Sequence, residues 1–388
     1  MRKHAVMKIL LSLILSIAAL AGSRVQAQET PSPALLVLHK GENAMAIIDP
    51  ATGKKYGHVP TGQDPHELAV SADGKLAFAS NYGGGPQGGN TLSVIDIEAR
   101  KEVRRVDLSP LSRPHGLWFA EGKVYFTAEA NMAIGRYDPA SNKVDWLLGL
   151  GQDRTHMILV SKDQKTIFTS NVSSNTISII ERGNVGGPGG RPGGPGGPPP
   201  GGPGGPPPGE PGGPPPDGRG GPPPGGPGGR RGGPGGMAWR QTVVPVGRGP
   251  EGFDLSPDGK EIWTAHSGDG RISVIDVATK KVVHTIDAGA RGANRLKFTP
   301  DGQLVLVSEL GGGSGGLVVL NARTRAVKTR IRLGGASGIL IPPDETRAYV
   351  ALTGANAVAV IDLSELKEIS RLKTGSGPDG MAWLPAKR

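Results

Sequence analysis

From residue 34 to the end of the chain, short apolar runs alternate with turn segments, and the pattern recurs as one text: a turn, a first strand, an Asp-Gly-type turn and a second strand. The clearest copies run from Pro65 to Asp96 and from Pro250 to Asp276. In these, Ser71-Ala72-Asp73-Gly74-Lys75 answers Ser256-Pro257-Asp258-Gly259-Lys260, and Leu92-Ser93-Val94-Ile95-Asp96 answers Ile272-Ser273-Val274-Ile275-Asp276. The residue just before each first strand marks the repeat: His66, His115, His156, Glu251, Asn294, Ser337 and Asp379, at intervals of 49, 41, 95, 43, 43 and 42 residues. A period near forty in strand-rich text predicts propeller blades, each a four-stranded antiparallel sheet that buries both faces only by stacking on its neighbours.

The one long interval contains residues 183–236, of which 46 of 54 are Gly or Pro, and without them it shrinks to 41. Seven blades are therefore expected. The last copy, Pro378-Asp379-Gly380-Met381-Ala382-Trp383, supplies a first strand alone, whereas Leu35-Leu36-Val37-Leu38 reads as a second strand. The two are expected to share one blade, which closes the ring and leaves no exposed sheet edge. The expected fold is thus an all-β seven-bladed propeller over residues 34–388, with residues 183–236 as an insertion inside the fourth blade. The strand needed to finish that blade, Trp239 to Val246, follows the insertion, so the Gly/Pro tract is not a domain linker. Its few apolar side chains cannot offset the entropy of ordering, and a disordered loop with polyproline-II character is expected. Glycine keeps a third-residue register only from Gly187 to Gly196, which excludes collagen.

Residues 1–27 read as a secretory signal: basic Arg2, Lys3 and Lys8, an apolar run from Ile9 to Ala21, and Val25-Gln26-Ala27 as the cleavage site. The run is shorter than the roughly 20 residues a membrane span needs. A periplasmic or secreted protein is expected, and the absence of cysteine excludes disulfides and thiolate chemistry. Removal of Arg2, Lys3, Lys8 and Arg24 with the leader takes the net charge from +10 to +6. That modest excess is scattered among turns and strand ends, so no nucleic-acid partner is expected, and the propeller is expected to be a monomer.

In an antiparallel blade, the loop entering the first strand and the loop after the second lie on one side. The second column of interest is therefore the end of strand two: Asn81, Glu129, Asn171, His266, Glu309 and Leu352, with His39 in the closing blade. His39, His66, His115, His156 and His266 all fall in these two columns, five of the seven histidines that remain after the leader. Together with Glu129, Glu251, Arg295, Glu309 and Asp379 they form the candidate ligand-binding rim, since polar groups converging on a concave mouth are the usual site. His66, His115 and His156 stand in consecutive blades and are the candidate ligands of a divalent metal. Convergence is open on sequence alone, because adjacent sheets pack about 10 Å apart whereas zinc draws imidazole nitrogens to about 2.1 Å. A polar loop residue that merely caps backbone or faces water is the alternative reading of each.

The common serine-hydrolase, Cys-x-x-Cys, zinc-protease and haem-attachment motifs are absent from the sequence. Phe78-Ala79-Ser80-Asn81, Phe168-Thr169-Ser170-Asn171, Trp263-Thr264-Ala265-His266 and Tyr349-Val350-Ala351-Leu352 resemble the Tyr-Val-Thr-Asn repeat of the YVTN propeller family. That resemblance covers most of the chain outside the insertion; it implies a fold and leaves activity open, because the family includes surface-layer and periplasmic binding propellers. Asn81-Tyr82-Gly83-Gly84-Gly85, Arg113-Pro114-His115 and Ser308-Glu309-Leu310 resemble the seven-bladed lactonases of the 6-phosphogluconolactonase type. This second resemblance implies His115 or His66 as base, Arg295 as oxyanion donor and Glu309 as orienting group. It is partial, because Ala293-Asn294-Arg295 stands where that family tends to show Pro-Arg-His. The expectation is an exported propeller that binds a small molecule or protein at its rim, with lactone hydrolysis or metal binding as alternatives.

Overall fold

The computed structural model describes residue 30 and residues 32–184, 237–311, 315–343 and 346–386. The segment expected to be a leader and residues 185–236 of the expected 183–236 insertion lie outside the described residues, while residues 183 and 184 end the strand Thr176–Asn184. The described chain forms 28 strands in seven four-stranded antiparallel sheets, a seven-bladed β-propeller. Blade 1 runs Pro378–Leu384, Ala34–His39, Ala44–Ile48 and Lys55–Pro60 from inside to outside, so strands from opposite ends of the sequence pair in one sheet. The inner strands of blades 2 to 7 are Pro65–Val70, Pro114–Ala120, Thr155–Val160, Pro250–Leu255, Ala293–Phe298 and the short Ile339–Leu340. The chain divides into the main body, residues up to 179 and from 241, and a second unit from 180 to 240. Of the second unit, only the ends of two strands of blade 4, Thr176–Asn184 and Met237–Pro245, are described.

Middle strands are buried on both faces, as in Leu35–Leu38, Ala44–Ile48 and Ala348–Leu352, because each blade is covered by a neighbour on either side. Outer strands alternate instead: Lys101–Asp107 and Lys143–Gly149 expose every second residue. The core lies between blades, with Trp263 of blade 5 packed edge-on against Phe298 of blade 6 at 5.5 Å between ring centres. Asp-Gly turns close the first hairpins: Asp73 accepts the Lys75 N–H and Asp258 the Lys260 N–H, each at 3.1 Å, while Gly74 and Gly259 take the left-handed backbone that the turn needs.

The pairing of the two innermost strands breaks at one place in each of blades 1 to 6. In blade 2 the register jumps between Pro65 and Leu68, in blade 3 between Pro114 and Leu117, in blade 4 between Thr155 and Ile158, and likewise in blades 1, 5 and 6. The residues released from the ladder are the marker residue and the one after it, for example His115 and Gly116. A bulge re-aims side chains, and here it turns them toward the mouth of the ring.

Candidate functional site

A hydroxyl on the second strand holds the bulge in place. The Gly116 N–H donates to Thr127 Oγ1 at 2.9 Å, and that hydroxyl donates to the backbone carbonyl of His156 in the next blade at 2.8 Å. The same relay runs from Met157 through Ser170 to the Glu251 carbonyl, and from Arg295 through Ser308 to the Ser337 carbonyl. Backbones of adjacent blades thereby come so close that a Cβ added to Gly116 would lie 2.6 Å from the His156 carbonyl oxygen, and one on Gly380 would lie 2.2 Å from that of His66. The residue after the marker is Gly in blades 1, 3, 5 and 7 and is Glu67, Met157 and Arg295 in blades 2, 4 and 6. Small and large alternate from blade 1 to blade 7, and the neighbouring blades 7 and 1 both carry glycine.

The markers of five consecutive blades consequently form one arc. Asp379 Oδ2 lies 3.9 Å from His66 Nδ1, and the same His66 nitrogen hydrogen-bonds His115 Nε2 at 3.0 Å. The His115 and His156 rings are 3.8 Å apart, and His156 Nε2 is 3.0 Å from Glu251 Oε2. That last contact is an ion-pair approach without hydrogen-bond alignment. On its other side, His156 Nδ1 makes a short hydrogen bond to Glu129 Oε1. Glu129 reaches the arc because it opens a single 3₁₀ turn, Glu129–Asn131, directly after the second strand of blade 3. Tyr82 donates to the second Glu129 oxygen at 2.8 Å and lays its ring 4.6 Å from His66. Arg154 stands over both carboxylates, 3.8 Å from Glu129 and 3.4 Å from Glu251. His115, Glu129, His156, Arg295 and Asp379 are all buried.

Burial makes the two central imidazoles differ. Desolvation, reinforced by His156, His66 and Arg295, drives His115 well below the usual imidazole value, so it is neutral. For His156, burial opposes the charged ring, but Glu129 and Glu251 outweigh it and the pKa is raised. Burial likewise works against Glu129, yet His156, Tyr82 and Arg154 hold it below the ordinary carboxylate value; for Glu251, His156 and Arg154 override burial and bring it down to about 2. Charge is thus concentrated on His156 between two carboxylates, beside a neutral His115 whose buried Nδ1 has no hydrogen-bond partner.

Inside the arc, the Arg295 guanidinium of blade 6 pairs with Glu67 of blade 2 across the channel. Next to this pair, a cavity of about 350 Å³ is walled by apolar inner-strand residues, among them Phe119, Leu159, Phe253, Leu340 and Trp383.

Of the predicted residues, His66, His115, His156, Glu129, Glu251 and Asp379 meet in the arc, and Arg295 lies against it. His39 is held elsewhere in blade 1 by Thr374 Oγ1 at 2.5 Å and the Gly375 N–H at 3.0 Å, and burial lowers its pKa to about 4. His266 faces Asp269 at 3.2 Å, and Glu309 faces Arg330 at 3.6 Å. In blades 2 and 4 the second column is structural: Asn81 bonds Thr91 and Ser93, and Asn171 bonds Thr176 and Ser178. Tyr82, Arg154 and Glu67 complete the site although they belong to neither column of candidates. Their signal was positional, since Glu67 stands where blades 1, 3, 5 and 7 carry glycine and Arg154 sits two residues before a marker, where blades 1, 5, 6 and 7 carry glycine.

No protein-family model and no curated protein matches the chain. Solved structures do. A protein of unknown function from Desulfotomaculum acetoxidans superposes with a TM-score of 0.65 at 12% identity, covering 92% of this chain and 100% of that one. A candidate 6-phosphogluconolactonase from Bacteroides uniformis gives 0.62 at 14% identity, covering 91% and 99%. The hydrazine synthase of Kuenenia stuttgartiensis gives 0.57 at 18% identity, covering 81% and 88%. Likeness at these identities carries the propeller fold and nothing about chemistry. Among the described residues no helix is long and apolar enough to cross a membrane.

Proposed function

We propose that this chain is an exported binding propeller whose histidine, glutamate and arginine rim takes a small polar ligand at the mouth of the ring. The observation that carries the reading is the convergence of five successive markers, Asp379, His66, His115, His156 and Glu251, into one polar arc whose Asp379, His115 and His156 are buried. Buried polar groups require partners, and an arc of this kind offers a donor from Arg154 and acceptors from Glu129 and Glu251 to one visitor. The leader pattern supports export. Lactone hydrolysis is the second reading, supported by the likeness to lactonase propellers. It would use His66 or His115 as base; Arg295 is committed to Glu67, and Glu309, committed to Arg330, leaves the orienting role to Glu129 or Asp379.

The test is a thermal-shift panel of gluconate, δ-gluconolactone, hydroxy acids and amino acids on the mature protein and on Glu251→Gln. Binding at the rim predicts stabilisation of the wild type by at least one class and its loss in the variant. Stabilisation of equal size in both proteins would remove the rim from the account, and turnover of the lactone would favour the hydrolase.

A further inference from the structure

The arc contains a smaller cluster of specific composition. One donor atom from each of His115, Glu129 and His156 lies within 4.8 Å of the others, and all three residues are buried. We infer that these three side chains form a binding site for a first-row divalent transition-metal cation such as Zn(II) or Cu(II). The inference deepens the proposed rim-binding reading and rests on it.

Two imidazoles and a carboxylate are a donor set that suits such cations better than magnesium or calcium, which prefer all-oxygen shells. His115 is 3% exposed and its Nδ1 has no hydrogen-bond partner, a costly arrangement for a buried polar atom that a cation would resolve. The surroundings have the form that orients ligands in metal sites, with polar groups set against the side chains that would hold the cation. Tyr82 fixes the free oxygen of Glu129, Glu251 faces the far nitrogen of His156, and Arg154 balances the two acids. The bulge and the close approach of Gly116 to the His156 backbone give the ligands little room to move apart.

Without a cation, a proton occupies the short His156–Glu129 contact. A cation therefore replaces a proton, and uptake is accompanied by proton release. The other three-residue grouping among the described residues, His39, Glu42 and His58, also has an unpartnered buried Nδ1, that of His39, but its Glu42 and His58 are exposed. His39 Nε2 already accepts the Gly375 N–H, which leaves the ring proton on Nδ1, the atom facing Glu42 at 3.4 Å. That grouping serves as the internal control.

The experiment is isothermal titration of the untagged mature protein, dialysed against a chelator, with Zn(II) and Cu(II), and with Mg(II) and Ca(II) as controls. One equivalent of Zn(II) or Cu(II) is expected, with about one proton released per metal in buffers of different ionisation enthalpy. Affinity is expected to fall at least about 100-fold in His115→Ala and in Glu129→Gln, both checked for native circular dichroism, and to stay unchanged in His58→Ala. Absence of binding by the wild type, or binding that survives both substitutions, would overturn the inference. An organic ligand that still stabilises the wild type and not Glu251→Gln would then leave the rim reading standing and remove the metal alone.

Discussion

Arg295 and Glu67 pair across the central channel from blades 6 and 2, and the Arg295 side chain is only 7% exposed. Desolvation works against the charged guanidinium, but Glu67, Asp379 and Glu251 hold it charged. Removing one partner of a buried pair costs about 3 to 5 kcal/mol, because the other charge is stranded, whereas replacing both with apolar groups is close to neutral. Glu67→Gln is therefore expected to lower unfolding stability in urea by about 3 kcal/mol, and Glu67→Leu combined with Arg295→Met to recover most of that loss. A double variant as unstable as the sum of the singles would contradict a channel pair.

Arg154 adopts the left-handed backbone, with φ of 52°, two residues before His156; at the same place Gly249, Gly292 and Gly377 also have positive φ. An L-residue is strained there by about 1 to 2 kcal/mol, and the strain holds the guanidinium over Glu129 and Glu251. Arg154→Gly should therefore be more stable than Arg154→Ala by about 1 kcal/mol. Both should bind rim ligands more weakly than the wild type. Equal stability of the two variants in urea unfolding would show that no strain is stored at this position.

Gly116 approaches the His156 backbone too closely for a side chain, while a Cβ on Gly149 would meet nothing within 4 Å. Gly116→Ala should destabilise the protein by about 1 to 3 kcal/mol as the blades are pushed apart, and Gly149→Ala should change it by less than about 0.5 kcal/mol. Chemical denaturation of the two variants checks the difference.

The fold was legible because the repeat is written in strand and turn residues that act locally: the Asp-Gly turns and the markers fall where they were expected, and Pro378–Leu384 pairs with Ala34–His39. The site was legible in part. His66, His115 and His156 could be placed on one rim, but their convergence depends on the bulges and on the Gly116, Gly252, Gly338 and Gly380 approaches, which are tertiary facts with only a spacing trace in the sequence. Of the second column, Glu129 reaches the arc and the others are held elsewhere. Asn81, Asn171, His39 and His266 are polar and correctly spaced, yet hydrogen bonds to nearby Ser, Thr, Asp and backbone groups absorb them.

Acid should weaken the fold in two windows. Burial lowers His39 from 6.5 to about 4, so the unfolded chain takes up this proton first and stability is lost as pH falls from about 6.5 toward 4. His115, also lowered, acts in the same direction. Glu251, lowered from 4.5 to about 2 by His156 and Arg154 against its burial, loses its contribution as pH falls through that second window. His156 acts oppositely: its pKa is raised, so its contribution is complete below 6.5 and fades as pH rises through the raised value. Urea unfolding between pH 4 and 8 should show a maximum near neutrality. His39→Gln should flatten the upper acid limb by at most about 1.4 kcal/mol per pH unit.

The central claim is that markers from successive blades form one electrostatically coupled site. Long-range ¹H–¹⁵N correlation spectra of the imidazoles across pH test it most directly. The account predicts that His115 stays neutral as pH is lowered through 6.5, while His156 keeps both ring protons above that pH. If the two rings instead titrate together near 6.5, as separate solvated imidazoles would, the buried arc does not exist in solution.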